Sequence, residues 1–121
     1  MLKQILLVGL GGGAGSIFRF LTSHWIAKTG HSFPFATLII NLLGCLFIGI
    51  LMGLWLKNQI DTNLRILLVA GFCGGFTTFS TFSLENLQMY QAGQYVQLIV
   101  YTLVSVLLGF LAVWIGFAFT K

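Results

Sequence analysis

The stretch from Phe35 to Leu56 contains no charged side chain. At about 1.5 Å per helical residue it is long enough to cross the roughly 30 Å hydrocarbon core of a bilayer. Three further apolar runs accompany it, from Leu2 to Ala27 and over residues 64–90 and 96–119. Polar connections from Lys28 to Ser32 and from Lys57 to Asn63 separate the first three, and Pro34 suits the start of the second helix. The chain reads as a single four-span membrane domain over residues 1–121. The first run lacks a short apolar core followed by a small-residue cleavage site, so a removed signal peptide is not expected.

Composition leads to the same class. Only 7% of the residues are charged, six Lys or Arg and two Asp or Glu, while 58% are hydrophobic. Soluble domains carry about 25% charged residues, so an isolated soluble domain is excluded, and high hydrophobicity excludes disorder. The cations are scattered singly, without the basic stripe that a nucleic-acid partner requires. Cys45 and Cys73 lie inside apolar runs without a CxxC pair, which suggests packing rather than zinc or a disulfide framework.

Four spans place both termini on one side, with Lys3, Lys57, Arg65 and Lys121; Lys28 lies opposite, with Arg19 near it. This is a modest positive-inside bias, and insertion in either orientation is conceivable.

The most informative segment is GFCGGFTTFSTFS, Gly71 to Ser83, which combines three glycines, five hydroxyls and interleaved phenylalanines. Glycine costs about 1 kcal/mol of helix propensity relative to alanine, and hydroxyls compete for backbone bonds. The segment therefore predicts a third helix broken near its middle, with Gly71 to Gly75 doing the breaking. Non-helical backbone at membrane depth is tolerated where it is buried in protein or lines a water-filled cavity, and its freed carbonyls and N–H groups suit ions. A small-residue helix contact is the alternative. Phe79 and Phe82 are three apart and share a helical face. Ring edges are positive, so two edges directed into a pore favour a small anion without tight binding.

Thr37 and Asn41 share a face of the second span, and Tyr101 and Ser105 share one on the last. Each stripe is either a packing seam or part of a polar track. Arg19 and Glu85 are the charges within or bordering the spans: either they pair, or Arg19 draws anions into a vestibule while Glu85 pairs or faces water. His24 and His31 fall near the first connection and read as solvated. The GLGGGAG run at Gly9 to Gly15 lacks the strand–turn–helix context of a dinucleotide fingerprint and reads as close helix packing.

Taken together, Gly12-Gly13-Ala14-Gly15 with Arg19, Thr37 through Asn41 to Gly44, and Gly71 through Phe79 and Phe82 to Glu85 resemble the Fluc (CrcB) fluoride channel family over essentially the whole chain. The resemblance implies an all-α membrane protein assembled as an antiparallel, dual-topology homodimer in the plasma (inner) membrane of a prokaryote. It implies a fluoride-selective channel with two pores per dimer, exporting fluoride passively from the cytoplasm and conferring fluoride resistance. By the same resemblance Phe79 and Phe82 line the pore, with Ser80 and Thr81 between them. Asn41 is the second-span pore residue, Thr37 lies on its track and Glu85 beside it. Tyr101 and Ser105 fit the track's tyrosine and serine, and Arg19 matches a vestibule arginine. The backbone carbonyls of Gly74 and Thr77 match those that hold a central structural Na⁺. Ala36 stands where family members often have glycine.

Two other classes compete. A proton-driven multidrug exporter needs a membrane-embedded carboxylate, which only Glu85 supplies. A non-transporting assembly subunit would use the polar stripes for association alone. Catalysis has little support, because no nucleophile–base pair or metal cluster is present and no enzyme is expected.

Overall fold

The computed structural model describes residues 1–28, 30 and 32–120, so the expectations for His31 and Lys121, and the Thr29 part of the first connection, lie outside the described residues. Four helical stretches are long and apolar enough to cross a membrane: α1 (Leu2–Ala27), α2 (Phe35–Leu56), a third over Thr62–Gln91, and a fourth over Tyr95–Thr120. The third is interrupted, and its halves are α3 (62–76) and α4 (Ser80–Gln91); the last span is α5 (Tyr95–Thr120). Among the described residues there is no strand.

The ends of these helices follow local chemistry. Asp61 precedes α3, and its carboxylate accepts a 2.8 Å hydrogen bond from the Leu64 N–H. That cap draws the helix start back to Thr62, into what the sequence presents as polar connection. The α4–α5 turn is tight because Gly93 adopts φ 74°, a left-handed conformation in which a Cβ is disfavoured.

Alternate spans run parallel and pair through glycine. Along the α1–α3 seam, a Cβ at Gly11 would strike the Leu67 carbonyl, one at Gly15 the Phe72 carbonyl, and one at Gly75 the Gly12 carbonyl. Between α2 and α5, a Cβ at Gly49 would strike the Val113 carbonyl and one at Gly116 the Leu46 carbonyl. Lipid tails are as apolar as the side chains, so association relies on this close backbone approach rather than on a hydrophobic driving force. The GLGGGAG run thus lies in a helix, and Gly11, Gly12 and Gly15 within it serve packing.

Two features of α3 depart from expectation. Ile66–Cys73 is wound as a π-helix, whose turns hold more residues than α turns and which occurs mostly as single-turn bulges. Gly71, Gly74 and Gly75 do not break the helix. They lie within its helical part, and Gly71 and Gly75 let α1 approach. The chain leaves helical geometry only after Phe76, where Thr77 is extended at φ −82°, ψ 158°.

A cluster of buried apolar side chains lies where α2, α4 and α5 meet. There Leu38, Met89 and Tyr101 are buried, with Phe33, Leu42 and Phe82 against them. Outside it Ile40, Leu51 and Phe76 are also buried, but many large apolar side chains face outward, and only 6% of the most apolar window of α5 is buried within the chain. Such a surface requires lipid or a protein partner.

Candidate functional site at the helix break

The break exposes backbone groups that an unbroken helix would pair internally, and neighbouring side chains meet four of them. The Cys73 carbonyl accepts from both the Thr77 N–H at 3.0 Å and the Thr77 hydroxyl at 2.7 Å. From α1, Arg19 Nε donates to the Gly75 carbonyl at 3.0 Å, and the Ser16 hydroxyl reaches the same oxygen at 3.5 Å. From α2, Asn41 engages both sides of Thr78: Nδ2 donates to its carbonyl at 3.1 Å, and Oδ1 accepts from its N–H at 2.9 Å. Among the described residues no hydrogen bond reaches the Gly74 or Thr77 carbonyls.

Thr78 also starts α4. Its hydroxyl oxygen accepts from the Thr81 N–H at 3.2 Å, contacts the Thr81 hydroxyl at 3.2 Å and the Ser80 hydroxyl at 3.2 Å. Phe79 is the N-cap residue and offers no side-chain acceptor, so the Thr78 hydroxyl, one residue earlier, meets the otherwise unpaired Thr81 N–H of the first turn. Ser80 and Thr81 are therefore tied into a hydroxyl cluster at the helix start.

On α4, Phe79 and Phe82 stand with ring centroids 5.8 Å apart at 36°. Phe79 is 78% exposed within the single chain, whereas Phe82 leans on Tyr101 at 5.0 Å. One turn further, the Glu85 carboxylate accepts from the Thr37 hydroxyl at 2.9 Å through Oε2 and from the Tyr101 hydroxyl at 2.8 Å through Oε1. Tyr101 is 0% exposed, and Phe33 meets its ring edge-on at 5.5 Å. Three elements thus converge on one carboxylate, although Thr37, Glu85 and Tyr101 are distant in sequence.

Two cavities flank this arrangement. One of about 420 Å³ is lined by Asn41, Gly74, Thr78, Phe79, Phe82 and Ser105, among others. The other, about 330 Å³, is lined by Phe33, Pro34, Gln88 and Gln94 and has Glu85 in its wall. Phe82 borders the first and Glu85 the second, with the Tyr101 and Thr37 hydroxyls on Glu85. The buried Ser105 hydroxyl oxygen has no hydrogen-bond partner within the chain. A buried polar atom left so costs about 1–3 kcal/mol and marks a place where a ligand or water is expected.

The site residues expected from the sequence therefore fall into one neighbourhood around the break. Phe79, Phe82, Asn41 and Ser105 border one cavity. Thr37, Tyr101 and Glu85 form one hydrogen-bonded cluster. Arg19 lies on the α1 side of the break with its Nε on the Gly75 carbonyl, and among the described residues it does not pair with Glu85. Sequence reasoning missed Thr78 as the hub, although its spacing to Thr81 is one at which a hydroxyl meets a first-turn N–H. It also missed Asn86, which donates to the Phe82 carbonyl at 3.0 Å and accepts from the Thr102 hydroxyl at 3.2 Å.

Comparison with known proteins agrees in length and extent. A protein from Azobacteroides pseudotrichonymphae, described as a fluoride-specific ion channel FluC, is 54% identical over 100% of this chain and 98% of its own length. Proteins of the same description from Phocaeicola vulgatus and Flavobacterium psychrophilum are 44% and 43% identical, over 95% and 99% of this chain and 96% and 98% of their own lengths. The family model described as CrcB-like protein, Camphor Resistance (CrcB), matches residues 6–117. With nearly every residue inside that match, the helix break and its flanking cavities included, the chain belongs to the CrcB-like protein family.

Proposed function

We propose that this chain is the subunit of a fluoride-selective channel, a transporter rather than an enzyme, that lets fluoride leave the cytoplasm passively. The observation that carries the reading is the unpartnered Ser105 hydroxyl in a cavity bordered by Phe79 and Phe82. A hydroxyl donor and aromatic ring edges attract a small anion, yet neither is a fixed cation that would hold it. The names of the relatives supply the identity of the anion.

The functional unit in this reading is an antiparallel homodimer of dual topology with two pores, in the plasma (inner) membrane of a prokaryote. Support comes from the open side of the break, where Phe79 and Gly74 are exposed in the single chain, and from the modest charge bias across the spans. The Gly74 and Thr77 carbonyls fit a structural Na⁺: both border the same open cavity, both lack donors, and hard cations take oxygen ligands. A second copy would bring the same pair, and the ion would tie the two breaks together.

The test is reconstitution. Liposomes loaded with fluoride should lose it when the purified protein is present, with chloride retained and no dependence on a proton gradient. A protein that folds, inserts and releases no fluoride ends the proposal; proton-driven uptake of a lipophilic cation would replace it with an exporter.

A further inference from the structure

In an unbroken helix the Thr78 N–H would reach the Gly74 carbonyl and the Thr78 carbonyl would receive the Phe82 N–H. Neither bond forms here; the two Asn41 bonds of 2.9 and 3.1 Å occupy both Thr78 groups. Asn41 has one acceptor oxygen and two N–H donors, so its oxygen and one N–H match the N–H and C=O of one residue. Asn41 sits in the N-terminal third of charge-free α2, between Leu38 and Gly44, both buried, and a Cβ on Gly44 would strike the Thr77 side chain.

We propose that Asn41 is a positioning residue: its amide replaces the ladder that the break removes and thereby sets where Phe79, Phe82 and the start of α4 stand. Thr78 is the link through which it acts. The Thr78 hydroxyl caps α4 at Thr81, and Phe79 follows it directly. Releasing the Thr78 backbone therefore frees the cap and the first pore ring together. Within the fluoride-channel reading, on which this rests, Asn41 contributes to conduction mainly through that placement, with one N–H left over.

The test separates position from flux. Backbone exchange at Thr78 is followed by NMR in fluoride-free detergent, and a 4-fluorophenylalanine at position 79 reports the ring by its ¹⁹F line. A hydrogen bond to backbone is worth about 1–1.5 kcal/mol, so Asn41→Ala should speed Thr78 exchange about tenfold and shift or broaden the ring signal. Asn41→Asp keeps an acceptor for the Thr78 N–H. It should hold exchange within about threefold of the parent, a rescue that general loosening of α2 would not produce. Size-exclusion elution and tryptophan fluorescence confirm that each variant is folded; if Asn41→Ala fails this, Asn41→Ser takes its place with the same expected exchange. Thr78 exchange within about twofold of the parent in folded Asn41→Ala or Asn41→Ser overturns the proposal, whatever happens to flux. So does fast exchange with an unmoved ring signal. None of these readouts needs fluoride, so a protein that conducts none refutes the channel reading while leaving the positioning result to stand or fall separately.

Discussion

The two halves of the third span are held in place by opposite means. α3 is fixed mainly by backbone proximity: Gly71 and Gly75 of α3 meet Gly11 and Gly12 of α1, and the polar side chains Ser16 and Arg19 join the seam at its end beside the break, on the Gly75 carbonyl. α4 is fixed by polar side chains, with Glu85 on Thr37 and Tyr101, and Asn86 on Thr102. The difference follows from what each half must do. A half that only supports the break can pack as tightly as hydrogen allows, while a half that borders cavities must expose polar groups and still be anchored. Steric substitutions should therefore damage the first half, and loss of polar partners the second.

The largest effect is expected at Gly15. A Cβ there runs into the Phe72 carbonyl, which is backbone and cannot swing aside. Gly15→Val should cost about 3 kcal/mol and abolish a monodisperse size-exclusion peak. Gly9 and Gly13 lie on the same helix, and a Cβ added at either would meet nothing within 4 Å, so Gly9→Ala and Gly13→Ala should elute and unfold like the parent. Equal damage at all three positions would show that glycine content, not the seam, matters in α1.

Next comes Glu85. Glu85→Ala leaves the Tyr101 hydroxyl, in a fully buried residue, without its acceptor and should destabilise the protein by about 1–3 kcal/mol. Glu85→Gln retains one carbonyl acceptor and should lose less. Thermal unfolding followed by tryptophan fluorescence measures both; equal midpoints for Glu85→Ala and the parent would mean that α4 is not anchored there.

The two phenylalanines separate anchoring from conduction. Phe82→Ile removes a ring packed on Tyr101 and should cost about 1 kcal/mol, whereas Phe79→Ile, at an exposed ring, should leave single-chain packing unchanged. Both should lower fluoride efflux from liposomes. If only Phe82→Ile does so, Phe79 lies outside the path.

Much of this is legible in one dimension. Apolar length and scarcity of charge are properties of contiguous sequence, so the spans at Phe35–Leu56, without charge, and Leu2–Ala27, with only Lys3 and Arg19, can be read directly. The crowding of hydroxyls between Gly71 and Ser83 signals a break but puts it too early. Glycine is a weak helix former as a local propensity, yet in this bundle Gly71 and Gly75 accommodate α1 within a helix that continues to Phe76. The π-helical winding of Ile66–Cys73 has no periodic signature in a run that is apolar throughout. The Asn41–Thr78 pairing is tertiary, and only its two ends are visible, as an isolated amide in a charge-free span and a threonine among threonines.

The smallest effect tests whether each polar contact on α4 matters or only Glu85. Asn86 accepts from the Thr102 hydroxyl at 3.2 Å, and both residues are half-buried. Hydrogen bonds between membrane helices average about 0.6 kcal/mol, because the separated helices find other partners. Thr102→Val removes the donor at nearly constant shape and should lower the unfolding free energy by about that amount, with efflux unchanged. Asn86 retains its bond to the Phe82 carbonyl, so α4 keeps its start. A loss as large as that of Glu85→Ala would mean that the half is held cooperatively. A loss near the expected value leaves the carboxylate as the principal anchor and the remaining polar groups free to serve the cavities.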